Sequence, residues 1–169
     1  YEKYDLIGAI DYVKNNINSK QKIGLLGFSM GAATVSLAAA ESDKVRAILM
    51  DSSFSDLKTY LKKKLPIWSN LPAIPFNWLI LNVGTKLIGV NPKKVSPIKE
   101  VSKIESPIFF IHGKEDKKVD YENSEKMYQT SSNPQDQLWL VPDAGHTEAY
   151  ETSYKKYITK VIEFFNKYL

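Results

Sequence analysis

The sequence predicts an α/β fold: a mostly parallel sheet of about four strands, flanked by helices, with a helical cap inserted into the alternation. Three observations predict it. Four short apolar runs have the length and continuous character of strands buried on both faces: Ile23 to Leu26, Val45 to Met50, Pro107 to Ile111 and Gln137 to Val141. Stretches with helical character alternate with them, which is the rhythm of a parallel sheet. One stretch, Phe54 to Ser106, breaks that rhythm and is too long for an ordinary connection.

Taken in order, residues 2–17 read as an amphipathic helix with Leu6, Ile10, Val13 and Ile17 on one side. Asn15, Asn16 and Asn18 break its pattern before the first strand. Residues 30–41 are rich in alanine and suit a helix packed closely on a sheet. The second strand ends at Asp51 and the third at His112-Gly113. Residues 122–130 form a short helix. The fourth strand ends at Pro142. Residues 152–168 form a last helix with Tyr154, Ile158, Val161, Phe165 and Tyr168 along one face. Five prolines, with Trp68, Phe76 and Trp78, mark residues 54–106 as the cap; residues 1–53 and 107–169 form the core domain around it.

Composition narrows the function classes. The chain has 169 residues, enough for one real hydrophobic core, and its 43% apolar share is ordinary for a soluble globular protein. It has no cysteine, which excludes disulfides, thiolate catalysis and cysteine-held metal. The net charge of +4 comes from scattered lysines, with one denser run at Lys62, Lys63 and Lys64, so a nucleic-acid partner is not expected. The longest candidate membrane segment, Phe76 to Val83, is too short and holds Asn77 and Asn82. No signal peptide opens the chain, which favours a cytoplasmic location. The chain opens at Tyr1 without an initiator methionine, which leaves an upstream anchor or signal open.

The chemistry is carried by Gly27-Phe28-Ser29-Met30-Gly31, a G-x-S-x-G pattern between a buried strand and an alanine-rich helix. A sharp strand-to-helix turn pushes the Ser29 hydroxyl above the sheet. It also aims the Met30 N–H, at the positive end of the helix dipole, at an incoming oxyanion. Gly27 and Gly31 are expected to flank the serine because side chains there would collide with backbone.

A serine hydroxyl needs a base to take its proton. Of the two histidines, His146 lies in a loop after the last strand, where Gly145 permits a tight turn, and it is the favoured base. His112, at the end of the third strand, is read as a structural residue near the acid loop. Asp116 follows the third strand and can hold the imidazole in the required tautomer. Asp51 is the reserve acid, Asp120 a residue that shapes its loop or caps the next helix, and Asp143 a turn residue. No metal or cofactor is called for.

The motifs GFSMG, IHGKEDKKV and VPDAGH resemble, in order and context, those of the α/β-hydrolase superfamily, with a closer likeness to bacterial esterase-like and serine-aminopeptidase-like hydrolases. The likeness runs from Tyr1 to Leu169. It implies a Ser29, Asp116, His146 triad acting on carboxylic esters through an acyl-enzyme, with Phe28, Trp68, Phe76 and Trp78 bordering the substrate. A short-peptide or thioester substrate would use the same residues, and a non-catalytic binding module of the same fold is the rival from another class. Superfamily members carry further strands before the elbow, and a loop among them supplies a second oxyanion donor. The chain therefore resembles the C-terminal part of such a hydrolase. Weak turnover is expected of it alone, as is self-association through an exposed elbow-strand edge. Residues 55–65, with Leu57, Leu61 and Leu65 opposite Lys58, Lys62 and Lys63, form an amphipathic helix read as a solvated face, with contact to anionic lipid as the alternative.

Overall fold

The computed structural model describes residues 2–17, 20–69, 72–87, 89 and 91–169, without the side chains of residues 67–69, 73, 77, 84 and 85. Four parallel strands lie in the order β1-β2-β3-β4: β1 Ile23–Phe28, β2 Val45–Asp51, β3 Ile108–Gly113 and β4 Gln137–Val141. The central pair is buried almost throughout, which is why β2 and β3 read as unbroken apolar runs. Their side chains alternate between two cores. Ile48, Met50, Ile108 and Phe110 face one, and Leu49, Phe109 and Ile111 face the other.

The first core is covered by α1 (Glu2–Tyr12), α2 (Met30–Ala39), α6 (Pro97–Val101) and α7 (Glu122–Thr130) through Ile10, Ala32, Val35, Val101 and Met127. A π-turn continues α1 to Ile17, which is exposed and leaves the apolar stripe. Small side chains let α2 sit close to the sheet, with Ala32, Ala33, Ser36, Ala38 and Ala39 all buried.

The second core is covered by α8 (Ala149–Thr152) and α9 (Tyr154–Tyr168). The buried residues of α9 are Tyr157 and Phe164, with Val161, Phe165 and Tyr168 packed beside them. The face expected through Tyr154 is thus rotated: Tyr154 is more than half exposed and stacks edge-on against Tyr150. Gly24 on β1 serves this contact, because a Cβ there would stand 2.7 Å from the Phe165 ring.

Between β2 and β3 run α3 (Leu57–Ser69), α4 (Ala73–Leu79), a π-turn at Ile80–Gly84, α5 (Thr85–Leu87) and a short 3-10 turn at Pro92–Lys94. Pro66 is accommodated inside α3. The segment that stands apart from the sheet is shorter than residues 54–106. Phe54 is buried with Ala33 and Val119, while Val101 and Ile104 belong to the first core. Apolar residues near each end of the insertion are drawn into these buried clusters by the burial they gain there.

Candidate active site

Three loops meet at the carboxyl ends of the strands. The first is the turn at Ser29. Its φ of 51° and ψ of −115° place a non-glycine residue in a strained conformation between β1 and α2. The Ser29 N–H donates to the Asp51 carbonyl at 2.8 Å, so the β1–β2 pairing runs into the turn itself. Gly27 is required: a Cβ there would lie 2.4 Å from the Gly31 carbonyl oxygen. The same reason does not extend to Gly31, where an added Cβ meets nothing within 4 Å. Met30 is the first residue of α2, so its N–H has no carbonyl one turn back to bond.

The second loop carries His146. The left-handed residues of this loop are Asp143 (φ 60°), a turn residue as its sequence suggests, and Thr147 (φ 60°). For β-branched Thr147 this conformation is costly. It is held by the Thr147 N–H donating to Ser52 Oγ at 3.1 Å and by the Thr147 hydroxyl donating to the His146 carbonyl at 2.6 Å. The loop lies against the end of β3 because position 113 is glycine. A Cβ on Gly113 would stand 2.2 Å from the Ala144 carbonyl oxygen and 2.5 Å from that of Gly145. The close approach allows the Glu115 N–H to donate to the Ala144 carbonyl at 2.9 Å.

The third loop carries Asp116, whose side chain is fully buried. Its Oδ1 accepts from the backbone N–H groups of Lys118 and Val119, both at 2.9 Å. Its Oδ2 lies 2.7 Å from His146 Nδ1, and His146 Nε2 lies 2.9 Å from Ser29 Oγ. Burial acts to raise the Asp116 pKa. The hydrogen bonds from His112, His146 and the Val119 N–H outweigh it and hold the carboxyl well below the usual carboxylate range. The carboxylate is therefore an acceptor, His146 carries its proton on Nδ1, and Nε2 is left to accept the Ser29 hydroxyl proton.

His112 is wholly buried and oriented from both sides. Nε2 lies 2.9 Å from the Val119 carbonyl, which can only accept, so this nitrogen carries the proton; it also reaches Asp116 Oδ2 at 3.2 Å. Nδ1 then accepts from the Ser124 hydroxyl at 2.7 Å. Asp51 does not touch His146. Its oxygens accept from the Ser52 hydroxyl at 2.9 Å and the Tyr157 hydroxyl at 3.0 Å, and burial raises its pKa. Asp120 does not cap α7, whose N-cap is Tyr121; its carboxylate pairs with Lys63 and reaches Lys64 Nζ at 3.8 Å.

A family comparison decides the lineage of this arrangement: a model of the prolyl oligopeptidase family matches residues 1–169. The chain belongs to the prolyl oligopeptidase family. Among curated relatives, YqkD of Bacillus subtilis (strain 168) is 31% identical over 97% of this chain and 54% of its own length. YfhR of Escherichia coli (strain K12) is 28% identical over 86% of this chain and 46% of its own. The chain spans about half the length of these relatives. Among solved structures, the esterase Pf2001 of Pyrococcus furiosus superimposes with a TM-score of 0.75 at 25% identity, over 98% of this chain and 61% of its own. Pyrococcus horikoshii acylaminoacyl peptidase superimposes with a TM-score of 0.71 over 99% of this chain and 27% of its own; at 18% identity it speaks for the fold alone. The α/β-hydrolase architecture is thereby shared with known proteins.

In this prolyl oligopeptidase-family chain, Phe28 and Met30 flank the serine and are 43% and 63% exposed, so both present surface at the mouth of the site. Phe76 is half-buried and Trp78 exposed on α4; the Trp68 side chain lies outside the described residues. Among the described residues no cluster of three or more His, Asp or Glu is placed to hold a metal ion, and no helix is long and apolar enough to cross a membrane. The residues that motif reading missed are Ser52 and Thr147, which brace the histidine loop, Tyr157, which donates to Asp51, and Ser124, which orients His112. The run Asp51-Ser52-Ser53 at the end of a buried strand was a signal for the first; nothing in the sequence marks the others.

Proposed function

We propose that this chain is the triad-bearing part of a serine hydrolase that cleaves carboxylic esters through an acyl-enzyme. The observation that carries the reading is the unbroken relay from Ser29 Oγ through His146 to Asp116, at 2.9 and 2.7 Å. Ser29 Oγ attacks the carbonyl carbon and His146 Nε2 takes its proton. Asp116 keeps Nδ1 protonated and stabilises the imidazolium. The Met30 N–H donates to the oxyanion, helped by the dipole of α2. His146 then gives its proton to the departing alcohol oxygen. A water molecule, deprotonated by the same nitrogen, releases the acid and restores Ser29.

The family membership favours a second reading, hydrolysis of an amide bond in a short peptide by the same residues. A series of p-nitrophenyl esters of increasing acyl length, set against aminoacyl p-nitroanilides, separates the two. Preference for the esters, abolished in Ser29→Ala, supports the first reading, and preference for the anilides supports the second. Turnover that survives Ser29→Ala contradicts both.

A further inference from the structure

The segment between β2 and β3 has a one-sided charge pattern. From Leu57 to Lys94 it contains seven lysines and no aspartate or glutamate. Two of them are engaged with the acid loop and the chain after it: Lys63 pairs with Asp120, and buried Lys64 donates to the Lys117 carbonyl at 2.8 Å. Three others, Lys58, Lys86 and Lys93, converge on a cavity of about 330 Å³ that Asn82 and Asn91 also line and to which, among the described residues, no acidic side chain contributes. They come from α3, α5 and the 3-10 turn, so the convergence is a product of the fold and not of sequence proximity.

The same segment also exposes five large apolar side chains. Ile74, Trp78, Leu79, Val83 and Leu87 are all exposed, Leu87 by 82% and Trp78 by 65%. Leu79, Val83 and Leu87 recur every fourth residue along the run that leads through α4 and the π-turn into α5. Asn82 and Lys86, each one residue earlier than Val83 and Leu87, line the basic cavity. Apolar stripe and cationic pocket therefore lie side by side on one helical run.

Exposed tryptophan and aliphatic side chains beside a lysine-lined cavity, in a segment without aspartate or glutamate, match the chemistry of an anionic bilayer surface. The ring settles among the headgroups, the aliphatic groups enter the acyl boundary, and the lysines are drawn to headgroup phosphates. We propose that this segment docks the protein on membranes containing anionic phospholipid, with a headgroup phosphate held among Lys58, Lys86 and Lys93. A second copy of the chain fits the face less well, because a two-fold contact would set each cationic surface against itself. The proposal is independent of which acyl bond the enzyme cleaves.

The test is co-sedimentation of the protein with vesicles of phosphatidylcholine alone and of phosphatidylcholine mixed with phosphatidylglycerol, at low and high sodium chloride. Binding to the mixed vesicles should be at least about 10-fold tighter than to the neutral ones and should weaken with salt. Lys86→Glu/Lys93→Glu should weaken it about 30-fold or more. Lys22→Glu/Arg46→Glu makes the same change in net charge at the opposite ends of the strands and should leave binding within about 3-fold. The lipid and salt comparisons on the unaltered chain stand even where a variant folds poorly. Absence of sedimentation, equal binding to neutral vesicles, or equal weakening by the two charge pairs would overturn the proposal. So would light scattering that shows a dimer broken by Leu87→Ser with no vesicle binding, which would assign the face to a second copy.

Discussion

Alanine at position 113 is a single-methyl change whose consequence the geometry fixes closely. The added Cβ would stand 2.2 Å from the Ala144 carbonyl oxygen, 2.5 Å from that of Gly145 and 2.7 Å from the Ala144 carbonyl carbon. All three are backbone atoms, so no rotamer change relieves the contact. The histidine loop must retreat by about 1 Å to restore an ordinary approach near 3.4 Å. That retreat stretches the bond from the Glu115 N–H to the Ala144 carbonyl and carries His146, two residues on, away from partners now at 2.7 and 2.9 Å. Overpacking of this kind costs about 1–3 kcal/mol of stability. A displacement of about 1 Å in a reacting group lowers rate by about 100-fold. The assay is the rate of fluorophosphonate labelling, measured beside the thermal unfolding midpoint. Gly31→Ala is the matched control, since its Cβ meets nothing and alanine is favoured over glycine in a helix by up to about 1 kcal/mol. Its midpoint should hold or rise. Gly113→Ala labelled at the unaltered rate, with an unchanged midpoint, would refute the reasoning.

Further expectations follow from the same network. Ser52→Ala removes the acceptor of the Thr147 N–H and a donor to buried Asp51; it should cost about 2 kcal/mol or more, read as a drop of roughly 4–8 °C in the unfolding midpoint, and slow labelling as the histidine loop loosens. Asp116→Asn should lower the labelling rate by about 10⁴-fold, the scale seen when the acid of such a relay is neutralised, while the fold persists. Because the Asp116 pKa is depressed in the folded state, its ionised form stabilises the fold above about pH 4, and that contribution is lost as pH falls through the folded value. Urea midpoints between pH 3 and 7 should therefore fall on the acid side, less steeply in Asp116→Asn. Asp51 has the opposite sign: its raised pKa makes its contribution present at low pH and lost as pH rises through the folded value, so Asp51→Asn should remove that decline.

Much of this geometry was legible in the sequence because it rests on local rules. Buried strands read as continuous apolar runs, and Gly27 is glycine because the turn from β1 into α2 leaves no room for a Cβ. What the sequence did not yield depends on contacts made across the fold. The face of α9 is set by Tyr157, whose hydroxyl reaches Asp51 across 106 positions, and aromatic residues on both sides of that helix blur its periodicity. Asp143, read as a turn residue, adopts a positive φ as aspartate readily does, but nothing in the identity of β-branched Thr147 announces one; it is tolerated there because Ser52 holds its N–H. Lys64 belongs to a run of three lysines, where nothing in the sequence sets it apart, yet it is buried and donates to the Lys117 carbonyl. Gly31 belongs to the motif, but no neighbour among the described residues requires it.

The most direct measurement is peptide mapping by mass spectrometry after fluorophosphonate treatment of the chain and of its His146→Ala variant, both shown to be folded by circular dichroism. One adduct on the peptide bearing Ser29 is expected, formed at least about 1,000-fold more slowly in the variant for want of a base. An adduct on another residue, or one on Ser29 that forms equally fast without the imidazole, would contradict the relay.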